Sequence, residues 1–221
     1  MEGGFFDTHM ITTELQSALQ WGTAVETAYA AMVLLHGRGG SAADMQAFSR
    51  SFHAPGFAFV APEAPGRTWY PFPFTAPLEQ NEPYLSRALD RIHALLGELG
   101  QAGIPSSRIV LLGFSQGACL ALEFAARHLD CCGAAIGLSG GLIGPPGRKW
   151  DVGNRKTDML VFLGCGDRDP HIPTTRVEET ARFFESAGAT VEKRIYPGMG
   201  HFINDDEVAE VRRLMAVLRP E

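Results

Sequence analysis

The chain has 221 residues, 45% of them hydrophobic and 20% charged, a balance that suits one packed domain over residues 1–221 and excludes disorder. Acidic residues outnumber basic ones 25 to 19, for a formal charge of −6, and no basic stripe is visible, which argues against DNA or RNA as a partner. No apolar run approaches the roughly 18 residues of a membrane span, so no stable membrane insertion is expected, and the start, MEGGFFDTHMITTELQ, lacks the positive leader and apolar stretch of a signal peptide; the expectation is a cytoplasmic protein.

Apolar runs alternate with helical patterns along the chain. The segment around residues 8 to 30 reads as a source of one or two antiparallel strands. Ala30 to Leu35 is a continuous apolar run ending at a glycine cluster, the pattern of a strand buried on both faces. Ser41 to His53 reads as a helix, with Ser41 as its cap and Asp44 in its first turn. Phe57 to Ala61 predicts a second buried strand. Tyr84 to Leu99 sets Tyr84, Leu85, Ala88, Leu89, Ile92, Leu95, Leu96 and Leu99 on one face, the clearest amphipathic helix in the chain. Strands follow at Ile109 to Leu112, Ala134 to Leu138 and Met159 to Leu163, and Val191 to Tyr196 alternates like a strand nearer an edge. Between them, Gly117 to Ala126 is apolar nearly all round and predicts a buried helix. Thr175 to Ala187 and Asp205 to Leu218 complete the helices. Such alternation predicts an α/β fold, a mostly parallel central sheet with helices on both faces, and ligands gathered at the carboxyl ends of the strands.

The four cysteines, Cys119, Cys131, Cys132 and Cys165, form no C-x-x-C pair. They read as small apolar residues in a reducing compartment, and no metal site follows from them.

The sharpest chemical signal is Gly113-Phe114-Ser115-Gln116-Gly117, which follows a predicted strand and precedes a predicted helix, the setting that the G-x-S-x-G turn requires. Side chains at the two glycines would collide with neighbouring backbone, and the turn lifts the Ser115 hydroxyl to a helix N-terminus. A serine needs a base within hydrogen-bond reach. In this fold the acid and the histidine follow the nucleophile, each at a strand end, which leaves His171 and His201 of the seven histidines. His201, in the glycine-rich turn after the last strand, is the favoured base. The acid is Asp167 or Asp169, in Gly166-Asp167-Arg168-Asp169-Pro170, and spacing does not separate them. An oxyanion would be met by backbone N–H groups of Gln116 and of Arg38, the latter in His36-Gly37-Arg38-Gly39-Gly40, with His36 pinning that loop by hydrogen bonds. Trp69, Tyr70, Phe72 and Phe74 suggest an aromatic wall or flap over Ser115, the alternative being a Pro-rich loop that tucks its aromatics into the core. The loop from Gly140 to Asp158, with Leu142, would line the other side.

Taken together, His-Gly-Arg-Gly-Gly at 36–40, Gly-Phe-Ser-Gln-Gly at 113–117, Gly-Asp-Arg-Asp-Pro at 166–170 and Gly-Met-Gly-His at 198–201 resemble the phospholipase/carboxylesterase family of small α/β-hydrolases, a likeness that runs from about residue 28 to the C-terminus. The resemblance implies that Asp169, directly before proline, is the acid, that Ser115 and His201 complete a triad, that Arg38 and Gln116 donate to the oxyanion, and that Trp69 and Tyr70 belong to an aromatic element near the pocket. It implies a carboxylesterase acting on small to medium acyl esters without a cofactor. Thioesterase or lysophospholipase activity is the alternative, and a non-catalytic binding protein of the same fold the remote one. Family thioesterases that act on lipidated proteins usually carry Gly-Leu-Gly-Asp after the early histidine, where this chain has Gly-Arg-Gly-Gly. The expected partner is a small-molecule ester, with a homodimer through the aromatic loop left open.

Overall fold

The computed structural model describes residues 13–219 apart from His53, so most of the start read for a signal peptide, the first part of the expected N-terminal strand region and the last residue of the expected Ser41 to His53 helix lie outside the described residues. The apolar runs do form strands. β1 (Leu19–Gly22), β2 (Ala30–Leu35), β3 (Phe57–Ala61), β4 (Ile109–Phe114), β5 (Ala134–Leu138), β6 (Leu160–Gly166) and β7 (Thr190–Tyr196) make one sheet in the order β1-β3-β2-β4-β5-β6-β7. All pairs are parallel except β1 with β3. β2, β3 and β5 are buried at every position because helices cover both faces, which is why they read as unbroken apolar runs rather than as alternation. β7 lies at the sheet edge and is half-exposed, and its sequence alternates accordingly. The described N-terminal region supplies one antiparallel strand.

Seven helices pack around this sheet among the described residues: α1 (Glu14–Ser17), α2 (Ala42–Ser49), α3 (Leu78–Asn81), α4 (Tyr84–Gln101), α5 (Gln116–Arg127), α6 (Thr174–Ser186) and α7 (Asp205–Val217). Apolar side chains of α4, α5 and α6 join Val33, Leu111 and Leu163 in one core layer. Those of α2 and α7 meet Met32, Leu112, Ile136 and Phe162 on the opposite face. Alternate residues of each strand thus feed alternate layers, and each fully buried Leu or Ile contributes about 1.5–3 kcal/mol. α4 buries the expected stripe with one correction: Tyr84, its first residue, overhangs the core and is exposed. α5 buries every residue but Arg127. None of these helices is long and apolar enough to cross a membrane.

The parallel strands β2, β4 and β6 all end at one edge of the sheet. There the chain turns into the loops that carry the chemistry-bearing residues. The expected β4 runs two residues further, to Phe114, and β6 starts one residue later and runs through Gly166, pairing Gly166 with Tyr196 of β7.

Candidate active site

Ser115 stands between β4 and α5 with φ 56° and ψ −119°, a conformation sparsely populated by residues with a side chain and costing about 1–3 kcal/mol. The two flanking glycines make the turn possible. A Cβ on Gly113 would lie 2.2 Å from the Gly117 carbonyl oxygen, and one on Gly117 would lie 2.1 Å from that of Leu35 on β2. The turn is held by Ser115 N–H donating to the Leu138 carbonyl at 2.9 Å, and α5 starts directly beyond it.

His201 arrives from the opposite side. Its loop crosses close over the end of β6, since a Cβ on Gly166 would meet the Met199 carbonyl oxygen at 2.0 Å. His201 Nε2 is 2.8 Å from Ser115 Oγ and its Nδ1 is 2.6 Å from Asp169 Oδ2. The carboxylate can only accept, so the ring carries its proton on Nδ1 and presents the Nε2 lone pair to the serine hydroxyl. The ring is flanked by Phe114, with centroids 5.1 Å apart, and by the edge of His171 at 4.9 Å.

Asp169 is fixed from three directions. Its Oδ1 accepts from the N–H groups of His171 (2.8 Å) and Ile172 (3.0 Å), leaving Oδ2 for the imidazole. Burial works to raise the Asp169 carboxyl, but the hydrogen bonds from His201 and the two backbone donors outweigh it and hold the group below the ordinary carboxylate value. The Cys165 thiol lies 3.8 Å from Oδ2; burial, then the Asp169 charge, push it up to about 12, so it stays protonated. Asp167 has a different task. Its Oδ1 accepts from Gly198 N–H at 2.6 Å and so ties down the loop that delivers His201.

The loop after β2 lies against Ser115: a Cβ on Gly37 would come within 3.3 Å of the serine Cβ. As expected of a pinning residue, His36 accepts the Ala64 N–H on Nε2 (3.0 Å), and its Nδ1 is 2.7 Å from the Gly37 carbonyl oxygen. Gln116 is the first residue of α5, where an N–H has no intrahelical acceptor, and Arg38 and Gln116 both line the cavity beside Ser115.

That cavity has a volume of about 600 Å³. Of the five residues expected to wall it, Tyr70 and Phe74 do so. Trp69 is buried and donates its indole N–H to the His36 carbonyl (2.9 Å), Phe72 points outward with 47% of its surface exposed, and Leu142 is fully buried away from the opening. Further apolar lining comes from Pro71, Pro73, Phe114 and Ile172. Phe114 was available to sequence reasoning as part of the serine motif itself; Ile172, beside the acid, carried no comparable signal.

The last piece of support for His201 is α7. Asn204 caps that helix, its side chain accepting from Glu207 N–H while Glu207 Oε2 accepts from Asn204 N–H (both 2.9 Å). Glu207 is fully buried, its Oε1 has no hydrogen-bond partner, and a Cβ on Gly164 would strike that oxygen at 2.2 Å. Burial raises its carboxyl from 4.5 to about 7. The fold therefore favours the neutral form, and the stability this confers is present below the ordinary carboxylate range and lost as pH rises through about 7. Glu207→Gln keeps an oxygen for the cap and cannot ionise. Its stability relative to the parent is expected to improve by about 3 kcal/mol between pH 4 and pH 8, at 1.36 kcal/mol per unit. Urea unfolding at the two pH values measures this, and a difference independent of pH would refute it.

A mostly parallel sheet flanked by helices, with a strained serine on the turn between a central strand and a buried helix, defines an α/β-hydrolase fold. The chain belongs to the phospholipase/carboxylesterase family, whose model matches residues 23–218. Among solved structures it resembles a phospholipase/carboxylesterase from Dyadobacter fermentans, at 37% identity and a TM-score of 0.86, over 90% of this chain and 96% of that one. Among curated proteins it is 27% identical over 214 residues to a probable carboxylesterase of Oryza sativa subsp. japonica, covering 87% of this chain and 89% of the relative. It is 32% identical over 128 residues to acyl-protein thioesterase 1 of Gibberella zeae, a match to 56% of this chain that spans only about half, 53%, of the thioesterase.

Proposed function

We propose that this chain is a serine carboxylesterase acting on small to medium acyl esters. The observation that carries the reading is the unbroken hydrogen-bond relay Asp169–His201–Ser115 at the lip of an apolar cavity. Ser115 Oγ attacks the ester carbonyl while His201 Nε2 takes its proton. The resulting oxyanion is met by the N–H groups of Arg38 and Gln116, each worth about 2.7–4 kcal/mol in the transition state. His201 then returns the proton to the leaving alcohol, which departs and leaves an acyl-Ser115 ester. Water, deprotonated by the same nitrogen, releases the acid and restores the hydroxyl. Asp169 holds the imidazole in the tautomer that can accept and stabilises the imidazolium that forms.

A fluorophosphonate reports on this directly, because only an activated serine displaces its fluoride. One equivalent is expected to attach to Ser115, read by peptide mass spectrometry, with loss of p-nitrophenyl ester hydrolysis in proportion. Absence of labelling in folded protein, or labelling at another residue, would overturn the assignment. The likeness to a thioesterase supports a second reading with the same residues, acting on thioesters, and parallel assays on matched oxygen and sulfur esters separate the two.

A further inference from the structure

The side chains of the two residues assigned to the oxyanion do something else. Gln116 is buried and turns away from Ser115, accepting the Trp69 N–H on Oε1 (3.0 Å) and donating Nε2 to the Tyr70 carbonyl (2.7 Å). The Arg38 guanidinium donates to three consecutive carbonyls, those of Tyr70 (2.8 Å), Pro71 (2.9 Å) and Phe72 (3.1 Å). From the far side Asn81, fully buried at the end of α3, accepts the Phe72 N–H (2.8 Å) and donates to the Pro73 carbonyl (3.3 Å). Two of the three N–H groups and three of the four carbonyls of residues 69–72 are thus held by these three side chains, and Tyr70 and Pro71 of this segment line the cavity.

We infer that Gln116, Arg38 and Asn81 are positioning residues that lock segment 69–72 as a rigid wall, so that acyl-chain size is selected by a surface bolted to the same two residues that receive the oxyanion. The inference rests on the esterase reading and deepens it, since it names what confines the acyl group. A mobile flap would leave its peptide groups to water; here most of them are committed to side-chain partners, of which Gln116 and Asn81 are buried, and a hydrogen bond to a buried group is costly to leave unmade.

The test compares Gln116→Met and Asn81→Ala with the parent on p-nitrophenyl acetate, butyrate and octanoate. A loosened wall holds short acyl groups poorly and admits longer ones, so the ratio of kcat/KM for acetate to that for octanoate is expected to fall about tenfold in both variants. Fluorophosphonate labelling of Ser115 should persist in Asn81→Ala, and Asn81→Asp, which keeps the acceptor for Phe72 N–H, should recover much of the parental ratio. A uniform loss on all three esters, or an unchanged ratio in variants that melt cooperatively, overturns the inference. If the parent itself neither labels nor turns over, the failure lies with the esterase reading instead. Should Asn81→Ala not fold, Gln116→Met alone decides the matter.

Discussion

Replacing Ser115 with alanine is expected to lower kcat for p-nitrophenyl esters by about 10⁶-fold, the scale seen when the nucleophile of a comparable triad is removed. The loss is chemical rather than structural. The backbone bond from residue 115 to the Leu138 carbonyl survives the change, and alanine tolerates the strained turn no worse than serine does, so the melting temperature should stay within a few degrees. His201 would keep its bond to Asp169 but have no hydroxyl to deprotonate. What remains is whatever the proposed oxyanion donors and the cavity would give to direct attack by water, about 10³–10⁴ over solution. Turnover within tenfold of the parent, in a preparation shown by mass spectrometry to carry alanine, would show that another group performs the attack.

Much of this site is legible in the sequence, for a reason that lies in the fold. In a parallel sheet the carboxyl ends of the strands share one edge, so residues just after separate strands converge although 86 positions part Ser115 from His201. The strands themselves were visible because burial on both faces writes β2, β3 and β5 as continuous apolar runs. The end of β6 was not. Gly164 and Gly166 look like loop residues, yet they sit in register with β7 and are glycines because Glu207 and the His201 loop press against them. The four-residue helices α1 and α3 are too short for any periodicity to show.

The aromatic segment shows a different limit. A cluster of rings announces that something will be covered, but which ring faces the substrate depends on peptide groups being turned by partners far along the chain. Gln116, Arg38 and Asn81 set that orientation, and they send Tyr70 to the cavity, Trp69 into the core and Phe72 to solvent. Leu142 was misplaced for a related reason: its N–H is taken by Thr180 and its carbonyl by Arg176, which draw it beneath α6 rather than toward Ser115.

Local spacing leaves the two aspartates open, the family resemblance points to Asp169, and the carboxylate of Asp169 lies against His201, from which the second large effect follows. Asp169→Asn is expected to reduce kcat by about 10⁴-fold, as the equivalent change does in a serine protease. The two backbone donors from His171 and Ile172 will hold the amide oxygen in the Oδ1 position, which turns the NH₂ toward His201 Nδ1. An imidazole that must accept on Nδ1 carries its proton on Nε2, and that nitrogen then has no lone pair for Ser115. Asp167→Asn presents a contrast, because the amide oxygen still accepts from Gly198 N–H, the contact this side chain makes to the loop. Its kcat should stay within about tenfold of the parent, since a neutral acceptor replaces a charged one in a bond outside the relay. Measuring both variants on one ester, alongside their melting temperatures, separates a defect in proton transfer from a displaced loop. If the two substitutions cost the same, or if Asp167→Asn is the more damaging, Asp169 does not orient His201 and the relay drawn here is wrong.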